Sequence, residues 1–450
     1  MSLDRLVPPT AGSFPAFFFD TALPSSSPSS SHALRWSHAC LTAVASLALA
    51  LGSVAVHAAP AKGKTAAASK SSKPAPARSP AGAAKPAAKA APAKAGKAAK
   101  GAARKGAAPS RHGRTGRAAA AGAAAAAVPM GLEHWSPAPN AAAGSADDAK
   151  ELAALRESAQ AGDAKAQYLL GSRYRFGNGV KQDLSQTVQL YRRAAEQGYA
   201  PAQSDLGVLY ANGRGVAQDD AQAALWYRKA ADQGDAIAQN NLGLMYAEGR
   251  GVPKDEAQAV QWFQRSAEKG EAAGQYSLGV MYASGRGVKE DAKAALKWFE
   301  KAGEQGHVDA QYNAGMTYAE GAVVKQDMQR AAQWFEKAAN QGLASAQSTL
   351  GFLYANGQGV AADPARAVQW FERSAKQGYT LAQSNLASLY TSGQGVAKNP
   401  QKAYFWLLVA RDKDASLEAR TQAAGEALTP AERLRIQREA RSWKPVREPG

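Results

Sequence analysis

Across residues 235–270, hydrophobic and small side chains recur in two helical patterns separated by a glycine-rich break. Ala238, Leu242, Met245 and Tyr246 fall at i, i+4, i+7 and i+8, one face of a helix. Gly249-Arg250-Gly251-Val252 ends it, because glycine accepts the positive φ of a helix terminus. Asp255 then offers a carboxylate to free backbone N–H groups, as an N-cap does. Ala259, Trp262, Phe263 and Ala267 make the apolar face of a second helix that stops at Gly270. The segment predicts an antiparallel helix pair.

The pair is repeated. Gly171, Gly207, Gly243, Gly279, Gly315 and Gly351 stand 36 residues apart, and so do Tyr174, Tyr210, Tyr246, Tyr282, Tyr318, Tyr354 and Tyr390. Seven units fill residues 163–414 without an insertion. The capping position of the second helix holds Asp183, Asp219, Asp255, Asp291, Asp327, Asp363 and Asn399, with Pro364 and Pro400 following at the first helical position. The pattern A-x-A-Q-x-x-L-G-x-x-Y-x-x-G-x-G-V, then D-x-x-x-A-x-x-W-F-x-x-A-A-x-x-G, resembles the Sel-1-like repeat (SLR) family, relatives of tetratricopeptide repeats. The resemblance implies an all-α fold, a right-handed α-solenoid with a concave groove, and an adaptor role in protein complexes. Some secreted relatives carry a disulfide in each repeat, and this chain, with Cys40 alone, has none. Unit five departs from the pattern with Val323 at the second turn glycine and Ala314 for leucine, and unit seven has Ala387 for the helix glycine.

An open helical stack needs covered ends. Residues 147–162 match the second helix of a missing unit and predict an N-terminal capping helix. Residues 415–450 predict two polar-faced capping helices and a tail, the second helix opening at Thr429-Pro430-Ala431-Glu432 with capping-box spacing.

Charge divides the chain differently. Of the net +17, residues 59–130 hold +15, from ten Lys and five Arg without one acidic residue, and residues 131–450 hold only +2. The Ala/Lys/Pro composition of 59–146 cannot bury enough apolar surface to order itself, so a disordered basic linker is expected. Lys85, Lys89, Lys94, Lys97, Lys100, Arg104, Lys105, Arg111, Arg114 and Arg117 suit an anionic polymer, nucleic acid or envelope polymer alike. A solvated spacer accounts for them equally. Before this segment, residues 40–56 form an uncharged apolar run inside a signal-like region, 1–58, with a small-residue exit at Ala58. Cleavage there predicts a periplasmic or secreted protein. The lysines that follow resist translocation, and the other reading is an inner-membrane anchor with a cytoplasmic solenoid.

Candidate chemistry is sparse. No phosphate-binding loop, H-E-x-x-H or G-x-S-x-G sequence is present, and the expectation is a non-enzymatic binding protein with no cofactor, metal or small-molecule substrate. One carboxylate per loop suits capping rather than calcium. Two rows on the first helices are the groove candidates. One is polar: Asp205, Asn241, Ser277, Asn313, Thr349 and Asn385. The other is apolar: Val208, Leu244, Val280, Met316 and Phe352. Together they could grip an extended peptide of a partner protein, or the apolar row could be inter-helix core and the polar row merely solvated.

Overall fold

The computed structural model describes residues 146–446 and 448. The signal-like region, its apolar run 40–56 and the basic residues of 59–130 lie outside the described residues. Helix α1 spans Ala146–Gln160. The first helices of the seven units are α2 Ala164–Phe176, α4 Ala200–Asn212, α6 Ala236–Glu248, α8 Ala272–Ser284, α10 Val308–Glu320, α12 Ala344–Asn356 and α14 Thr380–Ser392. The second helices are α3 Leu184–Glu196, α5 Asp220–Asp232, α7 Glu256–Glu268, α9 Ala292–Glu304, α11 Met328–Asn340, α13 Pro364–Lys376 and α15 Pro400–Arg411. A 3₁₀ turn, Ala415–Leu417, leads to α16 Glu418–Glu426 and α17 Pro430–Ser442. Unit five keeps thirteen-residue helices despite Val323 and Ala314.

The local chemistry accounts for these boundaries. Asp255 Oδ1 accepts from Gln258 N at 2.9 Å, and Asp183, Asp219, Asp291, Asp327, Asp363 and Asn399 cap their helices in the same way. Each such cap is worth about 1 kcal/mol. Gly249 closes α6 in the left-handed conformation at φ 75°, and Gly251 follows at φ 66°. The turn between them docks on the preceding unit. Arg250 Nη2 lies 2.7 Å from Asp220 Oδ1, and Gly251 passes so close to the Asp220 carbonyl that a Cβ there would overlap it.

Packing within a unit rests on a helix glycine. A Cβ at Gly207 would lie 2.7 Å from the Tyr227 ring, and one at Gly243 would stand 2.6 Å from Phe263. The two rings are fully buried. In unit seven, Ala387 replaces the glycine and Leu407 replaces the ring, and both are buried in one cluster, so the added methyl is matched by a smaller partner.

Between units the joint is polar. Gln203 Nε2 donates to the Ala195 carbonyl at 2.9 Å, supplying one of the carbonyls left free at the end of α3. Gln233 Nε2 in turn donates to Gln203 Oε1 at 2.7 Å. The same relay recurs at Gln197–Gln167, Gln305–Gln275, Gln341–Gln311 and Gln377–Gln347. Consecutive first helices α6 and α8 also touch directly.

Helices also cover both ends of the repeats. Leu152 and Ala159 of α1 cluster with Leu170 and Leu190, and Ile436 of α17 packs with Tyr404, Leu408 and Leu428. Thr429 and Glu432 form the capping box. Beyond α17 the chain does not run free: Trp443 sits edge-on to Trp406 at 5.9 Å, and Val446 N donates to the Lys376 carbonyl at 2.9 Å.

Gly251→Ala is expected to destabilise the solenoid more than Gly270→Ala. Both positions have positive φ, at 66° and 90°, but only the first meets a neighbouring carbonyl, and nothing lies within 4 Å of the second. The strain common to both is on the order of 1 kcal/mol. Urea unfolding of the two variants measures the difference, and equal midpoints would contradict the interlocked turn.

Candidate partner-binding surface

The two rows singled out on the first helices are placed differently by the fold. In the polar row, Asp205 Oδ2 accepts from Tyr168 Oη at 3.0 Å and pairs with Arg175 Nη1 at 3.0 Å, both from the preceding unit. Burial and the Asp205 carboxylate push the Tyr168 phenol well above its ordinary range, so it remains a donor. Ser277 Oγ donates to Asn240 Oδ1 at 2.9 Å, and Thr349 Oγ1 donates to the Ser345 carbonyl at 2.9 Å. Asn313 is buried at 7% exposure, and Asn385 is half-buried. Asn241, at 3% exposure, leaves its buried Nδ2 without a partner. Asp205 and Ser277 thus knit unit to unit, whereas Thr349 bonds within its own helix.

The apolar row presents more surface. Val208 is buried, whereas Leu244, Val280, Met316 and Phe352 are half-buried and rest against the core clusters beneath them. They form a stripe with one side packed and the other wet. At its C-terminal end the stripe turns polar at Ser388, where Arg420 of α16 donates to Ser384 Oγ at 2.8 Å and to Ser388 Oγ at 2.7 Å. The capping helix therefore terminates the row.

No helix among the described residues is long and apolar enough to cross a membrane. The Sel1 repeat family matches the chain at residues 164–199, 200–235, 236–271, 272–307, 308–343, 344–379 and 380–414. The chain belongs to the Sel1 repeat family. No curated protein matches it significantly. Among solved structures it is similar to c5321, a protective antigen of uropathogenic Escherichia coli strains displaying an SLR fold. That match has 38% identity over 64% of this chain and 70% of that one, with TM-score 0.49. It is also similar to a Sel1 repeat protein from Oxalobacter formigenes, at 32% identity over 65% of this chain and 80% of that one, with TM-score 0.48. A third, cysteine-rich protein B of Helicobacter pylori, has 30% identity over 30% of this chain and 96% of that one, with TM-score 0.24. Solenoids of Sel1 repeats generally act as protein-interaction scaffolds, typically without catalysis.

Two features of this Sel1-repeat surface were not singled out from the sequence. One is the position preceding the polar row, where Tyr276 stacks on His307 at 4.4 Å and tilts over Phe299 at 5.9 Å. It ties the first helix to its own unit and to the next. The other is a row of cations lying over tryptophans on the second helices. Lys229 stands over Trp226 at 4.0 Å, Arg265 over Trp262 at 4.4 Å, Lys301 over Trp298 at 4.4 Å, Lys337 over Trp334 at 4.0 Å and Arg373 over Trp370 at 4.6 Å. The i, i+3 spacing of Trp and Lys/Arg was the available signal. The tryptophans are core on one face and cation platforms on the other.

Glu320 ends the first helix of unit five, and burial raises its carboxyl pKa from 4.5 to about 7. A raised folded-state pKa means that the native chain holds this proton over a window in which the unfolded chain has lost it. Stability from this group therefore falls as pH rises from 4.5 to about 7. Glu320→Gln is expected to raise the melting temperature above pH 7 and to change it little below pH 4.5. Thermal melts of both proteins across that range measure the crossover.

Proposed function

We propose that the protein is a non-enzymatic adaptor of the cell envelope that holds an extended segment of a partner protein along its first helices. The observation that carries this reading is the stripe Leu244, Val280, Met316 and Phe352. These side chains are seated on the core yet half-open, and they recur at the unit period. A peptide laid across successive units would cover their wet side. Direct contact between α6 and α8 supports placing the first helices on the inner side of the stack, where a groove would lie. The envelope location rests on the apolar run 40–56 and the exit at Ala58, with export to the periplasm or outside the cell as the reading adopted over an inner-membrane anchor.

A second reading follows from the +15 carried by residues 59–130: an arm that binds an anionic polymer while the solenoid docks elsewhere. Loss of DNA or anionic-polymer binding on removal of 1–130 would support it, and unchanged binding would end it.

A photo-crosslinking residue placed at Val280 is expected to capture one discrete partner in the native cell, and the same residue at exposed Gln261 of α7 is expected not to. Identical products from both positions would contradict the stripe as the binding surface. N-terminal sequencing of the mature chain tests export, where a start at Ala59 is expected and an intact Met1 in the membrane fraction would overturn it.

A further inference from the structure

The chain carries a bound peptide of its own. Glu448, in the segment that follows α17, accepts from Arg373 Nη2 at 2.7 Å, from Arg373 Nε at 3.0 Å and from Gln347 Nε2 at 2.8 Å. The Val446 amide is held by the Lys376 carbonyl at 2.9 Å. This cradle lies at the end where each second helix turns into the next unit, away from the stripe on the first helices. Arg373 is steadied over Trp370 and Gln347 by the Ala339 carbonyl, so both donors are positioned by the repeat itself.

Three units earlier, the same elements surround an open cleft of about 400 Å³. Gln239 takes the place of Gln347, Arg265 of Arg373 and Gly234 of Gly342, each 108 residues earlier. Arg265 rests over Trp262 at 4.4 Å, and Gln239 Nε2 reaches the Ala231 carbonyl at 3.1 Å. One residue of the frame differs. Lys269 stands where five other joints have the donating glutamine, as Lys413 does at the last joint, and Gln239, at 3% exposure, is left with a buried Oε1 that has no partner, like that of Gln383. The cleft therefore offers a guanidinium and an ammonium in a frame that binds glutamate elsewhere in the same molecule.

We propose that this cleft between units two and three is a second peptide site, taking an extended segment of a partner protein that carries a glutamate with a cationic residue nearby. The glutamate would sit on Arg265 as Glu448 sits on Arg373, with the Lys269 ammonium beside it. Asp232 and Glu268 also line the cleft. They repel a bare polyanion and favour a peptide of mixed charge, of which the chain's own Lys444–Glu448 segment is an example. The site is independent of the stripe on the first helices, and substitutions there leave it intact.

The probe is a labelled synthetic peptide of residues 440–450, titrated into the full-length protein and followed by fluorescence anisotropy. Saturable binding is expected, weakened about fivefold or more by Arg265→Ala and retained within about twofold by Arg265→Lys, the scale of one partly exposed charge-assisted pair. Replacing the glutamate of the probe by glutamine should cause a similar loss, and combining it with Arg265→Ala should add little further. Arg265 is exposed, so its removal leaves the fold standing, and a melting curve checks this. Absence of saturable binding, wild-type affinity in Arg265→Ala, or equal affinity for the glutamine probe would each overturn the proposal.

Discussion

The whole stack depends on one close approach, a helix glycine under an aromatic ring. At Gly207 and Gly243 no side chain fits, because Tyr227 and Phe263 occupy the space a Cβ would need. That approach sets the separation of the two helices in a unit. The ring, once buried, contributes apolar area worth roughly 2–3 kcal/mol per unit. Six such joints make six nearly identical units. Unit seven shows the constraint by its exception, since Ala387 comes with Leu407 in place of the ring.

Between units the chemistry changes from apolar to polar. The glutamine relay, the Arg250–Asp220 pair and the Gly251 turn all work across unit boundaries. Buried amides must be paired, and a donor offset by one residue would leave carbonyls such as that of Ala195 unmet. Apolar faces tolerate sliding, whereas these hydrogen bonds do not, so the relay fixes the register of the stack. Lys269 and Lys413 interrupt it, and in each case an acceptor, Gln239 Oε1 or Gln383 Oε1, is left over.

The candidate surface was only partly legible. The apolar row at Leu244, Val280, Met316 and Phe352 was visible because a helical wheel separates it from the core position at Leu242. Its half-buried state was not, since a wheel does not report what covers an arc. The polar row misleads for the same reason. Asp205 reads as solvated, yet Arg175 and Tyr168 reach it from a helix 30–37 residues away in sequence.

Local pattern alone determined the helix pairs, the 36-residue period, the caps at Asp255 and its equivalents, and the covered ends. These follow from backbone preferences and from face periodicity, which act within a few residues. Only the tertiary structure decided which polar side chains are spent between units and which remain. It alone showed that the C-terminal segment docks beside Arg373 and Gln347, 75 and 101 residues back along the chain. No short-range preference encodes such a contact. It exists because stacking returns equivalent positions to the same edge of the molecule, where a glutamate bound at one unit marks the open cleft at another.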